Sequence, residues 1–327
     1  DNLGMLQWHG SGCVMRMGRA LSGFRQANAL WRCESELSLR VENIRFNCNL
    51  TGSNHYQFCR RLTTNSTRHS KKGGSVDDAE IFKFNQTAAQ WWDPEGPAKI
   101  LHRLNPLRIA YIRASIEQHF SVSQLSGLRL LDVGCGGGLV SEPLARLGCN
   151  VLGIDAGEVG IKTAESHAVQ DKLLENNGGS VTYRSTTTSA LIEQVEANAL
   201  EEFDVVCALE IVEHVNEPEK FIRELTALVR PGGLLVMSTL NRTPLSYGLA
   251  VFAAESLLNL VPKGTHEWSR FIQPEELAYV VESQGLESSE LVGIALNPLT
   301  LRFSLSKNCS MNYFYVAAKP ARKVTDS

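Results

Sequence analysis

At 327 residues, 43% hydrophobic and 20% charged, the chain is long enough to bury a sizeable core as one large α/β domain or two small ones. Its charge is uneven: residues 1–72 hold 11 Lys/Arg against 4 Asp/Glu, net +7, which leaves 21 against 31, net −10, for residues 73–327. A body of net −10 lacks the basic footprint that phosphate-backbone binding needs, which argues against nucleic acid as substrate. The eight cysteines form no C-x-x-C pair, so neither a disulfide framework nor a zinc knuckle is implied.

In the first segment, Met17, Ala20, Leu21, Phe24, Ala27 and Trp31 fall on one helical face with Arg19, Arg25 and Arg32 off it, and no acid stands between Met15 and Glu34. The run Cys59 to Thr67 keeps this arginine- and hydroxyl-rich, acid-poor composition, and acids return at Asp77. Residues 1–72 are expected to be a mitochondrial transit peptide or a disordered basic leader, a plastid address having a similar composition. Residues 73–327 are expected to be the folded body.

Two helical patterns open the body: Asp77 to Trp92, capped at Ser75 or Asp77, and Pro106 to Phe120, with Pro106 in a first-turn position. The period then changes. Apolar runs at 128–133, 150–154, 181–184, 204–209 and 233–240 read as strands, separated by helices near 138–147, 159–168, 187–198 and 217–229. Such alternation means an α/β fold with a mostly parallel sheet and helices on both faces. Pro274 to Ser283 reads as a further helix, and 285–296 and 311–318 as two more strands forming an antiparallel edge. No run is long enough to span a membrane, since the longest apolar stretch, 247–261, is broken by Glu255 and Asn259.

The first strand runs into Gly134-Cys135-Gly136-Gly137-Gly138, a turn whose missing Cβ atoms let a nucleoside approach the backbone. The next strand ends in Asp155, a carboxylate placed to accept hydrogen bonds from both ribose hydroxyls. A dinucleotide fingerprint needs glycine or alanine at 139, where Leu139 stands, and Asp132 precedes the first glycine by two residues; the pattern favours S-adenosylmethionine over NAD.

The fourth strand leads into Glu210-Ile211-Val212-Glu213-His214. A helical turn after Leu209 would bring Glu210, Glu213 and His214 to one face at the ligand-binding edge of the sheet. Two carboxylates and an imidazole suit Mg²⁺ or Mn²⁺ better than zinc. Alternatively His214 acts as general base with a glutamate orienting it.

With these motifs and Pro231-Gly232-Gly233, Ser238 to Arg242, Val261-Pro262-Lys263-Gly264-Thr265-His266, Phe82-Lys83-Phe84, Trp91 to Gly96 and Leu101 to Arg108, the chain closely resembles the ubiquinone-biosynthesis O-methyltransferases over roughly residues 76–318. The resemblance implies a Rossmann-like methyltransferase fold and transfer of a methyl group to catechol-type hydroxyls of polyprenylated rings, a dihydroxybenzoate and a demethylated quinol among them. It also implies a peripheral site on the matrix side of the mitochondrial inner membrane. Arg108, Gly134, Asp155 and Leu209 would contact S-adenosylmethionine, Asp132 would face its methionine moiety, and Glu210, Glu213 and His214 would hold magnesium. Arg184-Ser185-Thr186 lacks the acid that many methyltransferases aim at adenine. Asn297-Pro298 and Asn312-Tyr313 match the family with no chemistry attached. A membrane contact is expected through about 245–263, where Tyr247, Ala250, Val251, Ala254, Leu258 and Val261 share a helical face, and a quinone-biosynthesis protein complex is a further partner compatible with the resemblance. Competing readings are a methyltransferase for a soluble phenol and a cofactor-binding scaffold.

Overall fold

The computed structural model describes residues 76–174, 178–247 and 268–322. The leader expected over 1–72, most of the amphipathic stretch proposed for membrane contact and the Val261 to His266 motif lie outside the described residues. Asp77 caps the first helix, α1 (Asp78–Asn85), by accepting from the Ala79 amide at 3.1 Å. The pattern expected to run as one helix to Trp92 stops at Asn85 and resumes as a 3₁₀ turn, Ala88–Gln90. The second helix, α2 (Lys99–Phe120), starts seven residues before Pro106, which therefore sits in its interior rather than its first turn. Proline there removes the bond to the carbonyl four residues back. Burial outweighs that loss, because Leu104, Leu107, Tyr111, Ile112 and Ile116 form one apolar face of a single long helix.

From there the alternation holds: β1 (Arg129–Val133), α3 (Ser141–Arg146), β2 (Asn150–Asp155), α4 (Glu158–Ala168), β3 (Ser180–Ser185), α5 (Thr188–Glu196), β4 (Phe203–Leu209), α6 (Pro218–Leu228) and β5 (Val229–Leu240). α7 (Pro274–Ser283), β6 (Glu287–Asn297), β7 (Arg302–Ser306) and β8 (Asn312–Ala318) complete the described chain. The sheet order is β3-β2-β1-β4-β5-β8-β6-β7. The first five strands pair in parallel, β8 adds antiparallel to β5, β6 antiparallel to β8, and β7 antiparallel to β6. The antiparallel edge thus has three strands. β8 inserts between β5 and β6, so the two expected strands do pair, while the outer hairpin is β6 with β7, a short strand with polar residues at alternate positions that the apolar pattern missed.

Period-two burial on β1 sends Leu130 to one side and Leu131 and Val133 to the other. On the first side lie α2 and α3, with Tyr111 stacked on Phe314 at 4.2 Å. On the second lie α5, α6 and α7, through Leu191, Phe221, Leu225, Leu277 and Val281. Covering both faces explains why strands β1 and β4 are nearly all buried. β1 and β4 are neighbours although β2 follows β1 in the chain, so a crevice opens at their carboxyl ends, where open α/β sheets take ligands.

Gly138 closes the turn after β1 at φ +88, and a Cβ on it would stand 2.3 Å from the Tyr183 hydroxyl oxygen. Gly138→Ala should therefore lower the unfolding free energy by about 2 kcal/mol or more, from left-handed backbone strain and the clash. Urea unfolding checks this, and Tyr183→Phe in the same chain should restore part of the loss.

Candidate active site

Gly134 and Cys135 donate their amides to the Ile154 carbonyl at 2.8 and 3.0 Å, which pins the glycine turn to the end of β2. Asp155, at that end, accepts from the Gly136 amide at 3.0 Å through one oxygen and from the Gly157 amide at 2.7 Å through the other. Burial raises its carboxyl above the usual range and these two amides oppose the shift. A Cβ at Gly134, which has φ +74, would press on Ile211 at 2.8 Å, and one at Gly136 or Gly137 would meet the Trp91 indole. At 134, 136 and 137 a Cβ has no room unless Ile211 or Trp91 shifts.

Asp132 is 2% exposed, accepts from the Ser141 hydroxyl at 2.5 Å, and has its carboxyl pushed up to about 6 by burial, with Ser141 and Arg108 holding it down. Arg108, 4% exposed on α2, pairs with Glu210. Burial lowers its guanidinium to about 10, and Asp132 and Glu213 counter the shift. Leu209, Glu210 and Ile211 line the same cavity.

The helical turn expected after Leu209 is shorter than its pattern required. Glu210 takes a left-handed φ of 48, and only Val212–His214 form a 3₁₀ turn. Glu210, Glu213 and His214 consequently diverge. Glu210 turns to Arg108 and accepts from the Ser238 hydroxyl at 2.6 Å; Glu213 accepts from Thr239 at 2.8 Å; His214 Nδ1 meets Glu80 of α1 at 2.9 Å. The three do not fit a divalent cation in this arrangement, and among the described residues no three His, Cys, Asp or Glu side chains are grouped to hold a metal ion. Glu213 keeps a buried oxygen, Oε1, without a hydrogen-bond partner among the described residues, and the buried Oε2 of Glu210 has only its ion pair with Arg108.

Glu80 is a site residue that sequence reasoning missed. It lies 134 residues from His214, and its carboxyl is held below the usual range chiefly by its hydrogen bond to His214. Trp91 and Trp92 were visible only as motif. Trp91 covers Gly136 and Gly137, while Trp92 donates its indole N–H to the Gly137 carbonyl at 2.8 Å.

These groups surround a cavity of about 460 Å³. One end holds Asp132, Gly134, Gly136, Asp155 and Thr186–Thr188; the other is lined by apolar residues of α2, β6 and β7, with Arg108, Glu210 and His214 also on its wall.

A methyltransferase-domain family model matches residues 102–291. The ubiquinone biosynthesis O-methyltransferase of Methylobacterium sp. (strain 4-46) is 45% identical over 254 residues, 76% of this chain and 98% of its own length. That of Maricaulis maris (strain MCS10) is 41% identical over 263 residues, 80% of this chain and all of its own. The chain belongs to the ubiquinone-biosynthesis O-methyltransferase family. It is an S-adenosylmethionine-dependent O-methyltransferase, and the expected Rossmann-like methyltransferase fold is the one observed. Among solved structures, the magnesium protoporphyrin IX methyltransferase of Synechocystis PCC 6803 is similar with a TM-score of 0.46 and 18% identity, over 82% of this chain and 94% of that one.

Asp132 gives the methyltransferase a pH signature. Its folded value of about 6 exceeds the ordinary 3.8, so the folded state holds the proton more tightly and stability falls as pH rises through that window. The cost of the buried charge at neutral pH is on the order of 3 kcal/mol. Asp132→Asn should therefore stabilise the ligand-free protein by about 1–3 kcal/mol near pH 8 and by much less near pH 4, as read by urea unfolding at the two pH values.

Proposed function

We propose that the methyltransferase moves the methyl group of S-adenosylmethionine to a catechol-type hydroxyl of a polyprenylated ring in ubiquinone biosynthesis. The supporting observation is a single cavity that joins the glycine turn and Asp155 to an apolar chamber across a proton-accepting dyad, His214 with Glu80. Asp155 offers its remaining lone pairs to the ribose hydroxyls. Gly134, Gly136 and Leu209 border the nucleoside, and Arg108 and Asp132 face its methionine end.

His214 meets the lowered carboxyl of Glu80 through Nδ1, and this imidazole is the general base assigned to the substrate hydroxyl. The phenolic oxygen attacks the methyl carbon, the carbon–sulfur bond breaks, and S-adenosylhomocysteine leaves as a neutral thioether. Mg²⁺ on Glu210, Glu213 and His214, the second reading, is favoured by the unpartnered Oε1 of Glu213. Against it, Glu210 would have to release Arg108 and His214 would have to reorient from Glu80.

The same proposal includes a matrix-side, peripheral location at the mitochondrial inner membrane, a cleaved leader over 1–72, and a quinone-biosynthesis complex as partner. Leu245 and Tyr247, exposed where that stretch begins, and Trp268, exposed beyond its end, support the membrane contact through about 245–263, an arrangement suited to an interface that is wet on one side. No helix among the described residues is long and apolar enough to cross a membrane.

Labelled S-adenosylmethionine with short-chain prenylated and unprenylated catechols tests the reading; preference for the prenylated series is expected, and equal turnover would assign a soluble phenol instead. His214→Ala should lower kcat about 10²-fold or more and Glu80→Gln about 10-fold, with cofactor affinity unchanged by calorimetry. Full activity in excess chelator is expected of the dyad, whereas loss restored by Mg²⁺ would establish the metal. Asp155→Ala should weaken S-adenosylmethionine binding by about 1–3 kcal/mol, and an unchanged isotherm would remove the ribose role.

A further inference from the structure

The chamber beyond the cofactor end is walled by hydrocarbon: Leu101 and Leu104 of α2, Ile294 and Leu296 of β6, and Phe303 of β7. One amide interrupts it. Asn312, the first residue of β8, sits in register with Leu240 of β5 on one side and Ile294 of β6 on the other, so the three side chains lie on one face of the sheet, and all three line the cavity. Its Oδ1 is shielded from solvent and has no hydrogen-bond partner among the described residues.

A buried amide oxygen left unpaired costs free energy, and a hydrocarbon side chain of similar shape would avoid the cost. Asn241 also has a buried, unpartnered Oδ1, but its Nδ2 donates to the Cys309 carbonyl at 2.8 Å and so has a structural use; no side-chain hydrogen bond accounts for Asn312. The orphan atom is an acceptor, so its partner is a donor, a hydroxyl rather than a carboxylate. Position selects which hydroxyl. β8 lies two strands from β4, about 10 Å from the end that carries Glu210. A ring whose reacting oxygen faces His214 and the methyl donor therefore turns another part of its edge toward Asn312.

We infer that Asn312 is a specificity-determining residue: its Oδ1 accepts a hydrogen bond from the hydroxyl of the substrate ring that is not being methylated, selecting catechols over monophenols. The inference rests on the catechol reading of the reaction. It needs a rotation of the Asn312 amide that turns Oδ1, shielded in the ligand-free protein, toward the cavity, and then one hydrogen bond; a site built to bond a hydroxyl discriminates strongly against the analogue that lacks it.

The test loads the full chain with S-adenosylhomocysteine, which prevents turnover, and titrates it calorimetrically with a short-chain prenylated catechol and with the same ring lacking one hydroxyl. The wild type should bind the catechol about 10-fold or more tightly than the monophenol, and Asn312→Leu should bring the two within about 3-fold by weakening the catechol alone. Thermal stability should be unchanged or raised by Asn312→Leu, with Asn312→Ala as the second variant should leucine overfill the site. A catechol preference that survives both substitutions, or an equal loss for both ligands, overturns the contact. Catechol binding that depends on Asn312 in a protein that transfers no methyl group would uphold the contact and overturn the reaction, so the two failures are separate.

Discussion

Arg108 carries its charge at 4% exposure, and a buried guanidinium is tolerated only where carboxylates gather round it. Glu210 meets it from the end of β4, with Asp132 at the end of β1 and Glu213 in the following turn acting on it through the low-dielectric interior. That requirement fixes the geometry of the crevice. α2 must cross the carboxyl ends of β1 and β4, and Glu210 must adopt its left-handed φ to reach the cation. Removing Arg108 alone would leave these acids buried with their chief counter-charge gone, so its role in the fold cannot be separated from its role at the site.

The region before the sheet is a second constraint on the same turn. His102 Nε2 meets the Trp91 carbonyl at 2.8 Å, and Asn105 donates to the Leu139 carbonyl at 2.6 Å, so α2 grips both the tryptophan segment and the far end of the glycine turn. Trp92 stacks on His167 of α4 at 3.4 Å, and His167 Nδ1 lies 2.8 Å from a buried Glu142 oxygen. Trp91 and Trp92 thus tie the two helices flanking the cofactor site to the backbone of the turn. The glycines are needed on their outer side by indole packing as much as by the approach of a nucleoside.

What the sequence made legible follows from the range of each interaction. The parallel half of the sheet, the glycine turn and Asp155 could be read because a strand, its turn and the next strand tip are local patterns with two sharply different periods. The start of α2 was misplaced because Pro106 carries a strong local signal that the burial of Leu104 and half-burial of Leu101 override. β7 escaped because an edge strand of five residues pairs on one side only and needs little apolar content. At the site, Glu210, Glu213 and His214 were found as a motif and assigned one face by assuming regular helix; the left-handed residue that parts them answers to Arg108, about 100 residues away. Glu80 and Asn312 had no readable chemistry, since their significance lies in which partner is near, or absent, after folding.

Charge balance links the fold to the chemistry. Asp132, Asp155, Glu210 and Glu213 border or adjoin the crevice, and Arg108 is the cation set among Asp132, Glu210 and Glu213. Burial raises the carboxyls of Asp132, Asp155 and Glu213, and the neighbouring Asp155 charge adds to the shift at Asp132 alone. S-adenosylmethionine brings an ammonium and a sulfonium against one carboxylate, so it arrives with the sign the crevice lacks, and binding it relieves part of the desolvation cost already present in the empty protein. Methyl transfer converts the sulfonium to a thioether and removes one of those charges. If these acids face the donor, as proposed above, they hold the product less tightly, because a low-dielectric site amplifies the loss of a unit charge.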